Sequence, residues 1–186
     1  MNLKPYLQFV IIGFRNATAY RLDALMNFGT SILYLLLVYY IWNAIAASGT
    51  LSTTLTEVLT YLVLAQVVQS TASASIESDI GDKIRDGSIV NELKRPVSLH
   101  GQIYGEQFGQ MIFNFLTVGI PVTMIGFTLL NFSLPSLVNS AGFFISLFLS
   151  FNLVFALSYM MSMLVFWTKV GWSMRSVRTT IQGLLS

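Results

Sequence analysis

Apolar and polar positions along this chain come in long blocks. No charge lies between Asp23 and Glu57, and none between Glu106 and Lys169. A helix needs about 20 mostly apolar residues to cross the hydrocarbon core of a bilayer. Four blocks meet that need: 24–47, 58–76, 107–130 and 141–167. Each predicts a membrane-spanning helix. Pro121 inside the third block predicts a kink, because proline has no N–H to give the helix ladder. The polar stretches 48–56 and 131–140 predict short external turns. Tyr39, Tyr40 and Trp42 suit the far membrane interface, where amphipathic rings settle.

The first twenty residues follow a different rule. Leu3, Tyr6, Leu7, Val10, Ile11, Phe14 and Ala17 recur at helical spacing, with Lys4, Gln8, Arg15 and Asn16 on the other side. This predicts an amphipathic helix over 3–20 lying in the membrane interface. The alternative is an inward extension of the first span. Residues 77–96 form a charged loop. Ile76, Ile80 and Ile84 repeat every four residues there, so one helical face is apolar. Gly87 suits a helix C-cap, and Ser88 suits the cap of a following short helix. Pro96 ends the segment. Two short helices joined by a glycine are expected outside the bilayer. A connector between two spans needs only a few residues, so a longer charged loop with an apolar stripe suits docking of a soluble partner.

Composition narrows the class. Charged residues make up 10% of the chain and hydrophobic ones 54%. Soluble domains carry about 25% charged residues, so the expected fold class is an all-α polytopic membrane protein. The basic residues fall in three clusters: Lys4, Arg15 and Arg21; Lys83, Arg85, Lys94 and Arg95; Lys169, Arg175 and Arg178. Lys and Arg stay on the cytoplasmic side during insertion. This predicts a cell-membrane protein with its N-terminus and the 77–96 loop inside. The net charge of +2 therefore points to anionic lipid as partner, not to nucleic acid.

The chain contains no cysteine, so it has no disulfide and no thiolate metal site. It contains no G-x-x-x-x-G-K-[ST] phosphate loop, no acid cluster at metal-ligand spacing and no nucleophile–base pair. The expectation is a non-enzyme without a cofactor of its own. His100 stands alone, as neither ligand nor base. Gln66, Gln69, Ser70, Ser73 and Glu77 lie three or four apart on the second span. They read equally as a polar wall of a pathway or as helix-to-helix hydrogen bonding. Gly101, Gly105 and Gly109 form a small-xxx-small repeat that predicts close helix packing. Glu106, near the inner interface, is expected to pair with a Lys or Arg.

Within the loop, Ile84-Arg85-Asp86-Gly87-Ser88-Ile89 followed by Leu93-Lys94-Arg95-Pro96-Val97 resembles the signature of type-2 ABC exporter permeases. The resemblance runs along the whole chain, from the N-terminal helix to Phe166-Trp167. It implies a six-span permease that pairs with a second permease chain, identical or related. It also implies two cytoplasmic ABC ATPase subunits that carry ATP and Mg. Residues 79–96 would then be the coupling element seated on the ATPase, with Ile80, Ile84, Arg85, Asp86, Gly87, Ile89, Leu93, Arg95 and Pro96 as its contact residues. The apolar run 181–186 is expected to start a fifth span. The alternative class is a non-ABC membrane protein: a small channel, an ion-coupled carrier or an assembly scaffold. The uncharged spans disfavour ion coupling, because carriers carry charged or broken-helix sites at mid-membrane.

Overall fold

A computed structural model describes residues 4–49, 53–72, 76–129, 136–168 and 171–185. Among them the secondary structure is entirely helical. The helices are α1 (Lys4–Ala19), α2 (Arg21–Ala47), α3 (Leu55–Thr71), α4 (Ile76–Arg85), α5 (Ile89–Leu93), α6 (Leu99–Asn114), a π-helical turn (Phe115–Gly119), α7 (Ile120–Leu129), α8 (Leu137–Thr168) and α9 (Gly171–Leu185). Four helical stretches are long and apolar enough, by length and composition, to cross a membrane: Leu22–Ala47, Leu99–Thr128, Leu137–Thr168, and Leu55–Arg85, which runs over residues 73–75 outside the described ones. The chain is thus an all-α polytopic membrane protein.

The amphipathic N-terminal segment is a helix separate from the first span. The break falls at Tyr20, whose backbone (φ −93°, ψ 57°) leaves the helical region. The second span starts earlier than its apolar run because Thr54 caps it. Glu57 N–H donates to Thr54 Oγ1 at 3.4 Å, and Thr54 N–H donates to Glu57 Oε2 at 3.3 Å. This reciprocal pair satisfies two donors at a helix start. The third helix also begins earlier than expected, at Leu99, because His100, Gln102 and Glu106 are accommodated as helical residues.

Residues 14–72 and 110–148 form one compact unit. Its core is Leu35 of α2, Val63 and Val67 of α3, Val118 of the π turn and Val122 of α7, with Phe28, Phe115 and Phe143 packed around them. Gly126 lets α7 approach α3, since a Cβ there would stand 3.0 Å from Val63 Cγ1. The kink expected at Pro121 takes the form of the π turn. In an α-helix the proline ring would crowd the carbonyl four residues back, and that carbonyl would lose its donor. The ladder widens instead, and Ile120 N–H bonds to Phe115 O, five residues back.

Residues 1–13, 73–109 and 149–186 form the second unit. Its core joins Ile76 and Ile80 of α4 to Ile103 of α6 and Phe155 of α8. An aromatic ladder runs between α6 and α8: Tyr104 lies edge-on to Phe155 at 4.9 Å and to Phe151 at 5.7 Å, and its hydroxyl donates to Asn152 Oδ1 at 3.0 Å. His100 caps the ladder, edge-on to Tyr159 at 4.8 Å. α1 lies on α6 through glycines. A Cβ on Gly13 would run into the backbone carbonyl of Glu106, and one on Gly105 would stand 2.8 Å from Phe9 Cβ.

Candidate functional site

The charged loop is built around one turn. Gly87 takes φ +76°, a left-handed conformation open to glycine at little cost, and its N–H bonds to Ile84 O at the end of α4. Ser88 does not cap α5 with its side chain. Its hydroxyl and its N–H both donate to Asp86 Oδ1, at 2.7 and 2.9 Å. Asp86 is thereby the residue that folds the turn. These bonds, the hydroxyl's above all, hold its carboxyl below the usual aspartate range. Arg85 pairs with Asp82 one turn back on the exposed side of α4.

The apolar stripe of α4 faces the protein. Ile80 is 2% exposed and belongs to the core with Ile103 and Phe155, and the half-buried Ile84 packs on the same cluster. The stripe expected to meet a soluble partner therefore covers the protein's own helices. Ile89 is buried as well. The apolar side chains left outward on the loop are Val90, 49% exposed, and Leu93, 58% exposed, both on α5. Asp86, Gly87, Lys94 and Pro96 are exposed around them.

An ionic frame holds α5 in place. Glu92 accepts from Lys83 Nζ at 3.4 Å and from Arg95 Nη1 at 2.9 Å, one partner per carboxylate oxygen. Arg95 continues to Gln102 Oε1 at 3.4 Å, and its guanidinium carbon lies 5.9 Å from the centre of the Phe9 ring of α1. That distance is within cation–π range. Gln102, on the first turn of α6, is buried. Its amide donates to the carbonyls of Val97 at 2.9 Å and Glu92 at 3.3 Å. Gln102 was not legible as a site residue: one glutamine beside a glycine repeat has no signature.

The polar positions of the second span go separate ways. Gln66 donates to Ser31 Oγ of α2 at 3.2 Å, a helix-to-helix bond of the expected kind. Gln69 is exposed, and the half-buried Ser70 donates to Val67 O in its own helix. Ser73 lies outside the described residues. Of the glycine repeat, Gly101 and Gly105 face Tyr6 and Phe9 of α1, and Gly109 is buried. Glu106 forms no ion pair among the described residues. Glu77, the last of the polar row on the second span, is buried on α4 and paired with Arg178 on α9, a partner that sequence reasoning missed. A separation of 101 residues leaves no local pattern to find it by.

Comparison with known proteins places these features. A family model described as an ABC-2 family transporter protein matches residues 25–185 of the 186. No curated protein and no solved structure matches the chain.

Proposed function

Because the chain belongs to the ABC-2 family of transporter proteins, as a membrane-spanning permease of an ABC transporter, we propose that it serves an ATP-driven exporter and takes its energy through the 77–96 loop. The observation that carries this reading is α5. On a loop otherwise rich in charge, Val90 and Leu93 are held outward by an ion-paired frame. Exposed apolar side chains rimmed by charge suit a protein partner. The partner of choice is a cytoplasmic ABC ATPase that binds ATP and Mg. The charge clusters support a cytoplasmic loop and N-terminus. A second permease chain, identical or related, completes the pathway.

In this reading the loop works as a rigid lever. ATP-driven movement of the ATPase pushes on Val90 and Leu93. The frame of Lys83, Glu92 and Arg95 passes the push to α4 and α6. The tagged permease, solubilised in mild detergent from its native cells, should co-purify with a Walker-type ATPase. Leu93→Asp and Val90→Asp should keep membrane insertion but lose permease-dependent stimulation of ATP hydrolysis. Full stimulation in both variants would reject the docking role. Ile84→Asp is a poor substitute, since it disturbs the core under α4.

A further inference from the structure

We infer that Gln102 is a positioning residue for energy coupling: it clamps the outgoing strand of the loop to the start of the third span, so that α5 and α6 move as one body. The inference rests on the proposed coupling role of the loop. Its basis is the geometry of one side chain. Gln102 is 1% exposed, and its amide group is fully engaged within the clamp. The nitrogen donates twice, to Val97 O at 2.9 Å and to Glu92 O at 3.3 Å, and the oxygen accepts from Arg95 Nη1 at 3.4 Å. A primary amide offers two donors and an acceptor on one planar group. Leucine offers none of these, and glutamate would set a charge against two carbonyls.

The position of these bonds gives them their meaning. Between Leu93 and Leu99 the chain has no helix to carry a displacement. Lys94 to Ser98 is a short link, Lys-Arg-Pro-Val-Ser. A push on α5 would be absorbed there by backbone rotation unless a cross-brace shunted it. Gln102 is that brace, because it grips α5 at Glu92 O and the far end of the link at Val97 O from a single buried point on α6. Arg95, bonded to both Glu92 and Gln102, closes the figure. The buried member of this network is Gln102, while Arg95 braces it from the exposed side; polar networks with every member satisfied are stiff.

The test uses Gln102→Leu, of similar volume without the bonds, and Gln102→Glu, which keeps the acceptor. The first readout is amide hydrogen exchange on the purified permease. Loss of the three hydrogen bonds of this side chain should speed exchange across 92–98 roughly tenfold or more in Gln102→Leu, with α3 unchanged. The second is ATP hydrolysis by the assembled permease–ATPase complex. Permease-dependent stimulation should fall roughly tenfold in Gln102→Leu and at least as far in Gln102→Glu, whose carboxylate faces the two carbonyls, with the complex still assembled by native mass. Unchanged exchange in Gln102→Leu overturns the clamp itself. Faster exchange with full stimulation overturns its role in coupling and counts against the loop as lever. If Gln102→Leu fails to assemble, Gln102→Glu decides: equal stimulation to the parent overturns the proposal, and a loss of stimulation with faster exchange at 92–98 supports it.

Discussion

Arg178 donates through Nε to Glu77 Oε1 at 2.6 Å, and both side chains are buried. The bond joins the first turn of α4 to the middle of α9, within one compact unit of the fold. Two charges withdrawn from water hold together only while both are present. Removing Arg178 leaves the buried Glu77 carboxylate without this counter-charge, at a cost of about 3–5 kcal/mol. Arg178→Ala should lower unfolding stability in detergent by that order. The apolar double variant Glu77→Leu/Arg178→Met should recover at least half of the loss. A double variant as weak as the single one would show that the pair is not the source of the effect.

The glycine contact of α1 with α6 gives a second prediction. Gly13→Ala would force a methyl group into the Glu106 carbonyl, a backbone atom that cannot yield. Overpacking of this kind costs about 1–3 kcal/mol. It should loosen α1 and expose it to limited proteolysis. Gly29 and Gly142 sit in open space on their helices, so Gly29→Ala and Gly142→Ala should leave stability unchanged or raise it by about 0.5–1 kcal/mol. Equal effects at all three positions would contradict the contact.

Asp86 supplies a pH dependence. Its carboxylate is stabilised by Ser88, so its folded-state pKa lies below the unfolded one. A depressed carboxylate supports the turn above the ordinary aspartate range and loses that support as pH falls through the folded value. By NMR with labelled aspartate, Asp86 should titrate below the usual range. Ser88→Ala should raise its midpoint toward the ordinary value. A midpoint insensitive to Ser88 would remove this account of the turn.

Orientation can be read chemically, because the chain has no cysteine to confuse labelling. Single cysteines at Thr53 and Ser136 should react with an impermeant maleimide in intact cells, and one at Ser88 only after permeabilisation. Reaction at Ser88 alone would place the loop outside and remove the basis for docking on a cytoplasmic ATPase.

The spans were legible because a bilayer demands one simple thing, an uncharged apolar run of fixed length, and such runs are visible residue by residue. The separate N-terminal helix and the glycine turn at Gly87 were legible for similar local reasons. What stayed hidden depends on which element covers which. A stripe such as Ile76, Ile80 and Ile84 says that a face is apolar but not what meets it, and here it meets α6 and α8. Polar residues at the start of α6 hid the true onset of that helix, since Gln102 and Glu106 read as membrane edge. The Thr54–Glu57 cap was readable, since a threonine followed three residues later by glutamate marks a helix start. The apolar run drew attention past it. Gln102 and Arg178 act on partners that only the folded chain brings near.

The π turn at Phe115–Gly119 bears on how this protein tolerates change in length. The exposed positions through and beside it, Ile112, Leu116, Ile120 and Met124, recur every four residues, longer than the α-helical period of about 3.6. The wide turn holds one residue in surplus and so restores the phase. A one-residue deletion inside it would close the ladder into ordinary helix and leave Val122 and Gly126 facing Val63, at the cost of setting the Pro121 ring against the carbonyl four residues back. The same deletion in α6 or α7 would swing every later side chain by about 100°. The third helix thus contains a spare link, and a chain shortened there by one residue should still fold around the same core.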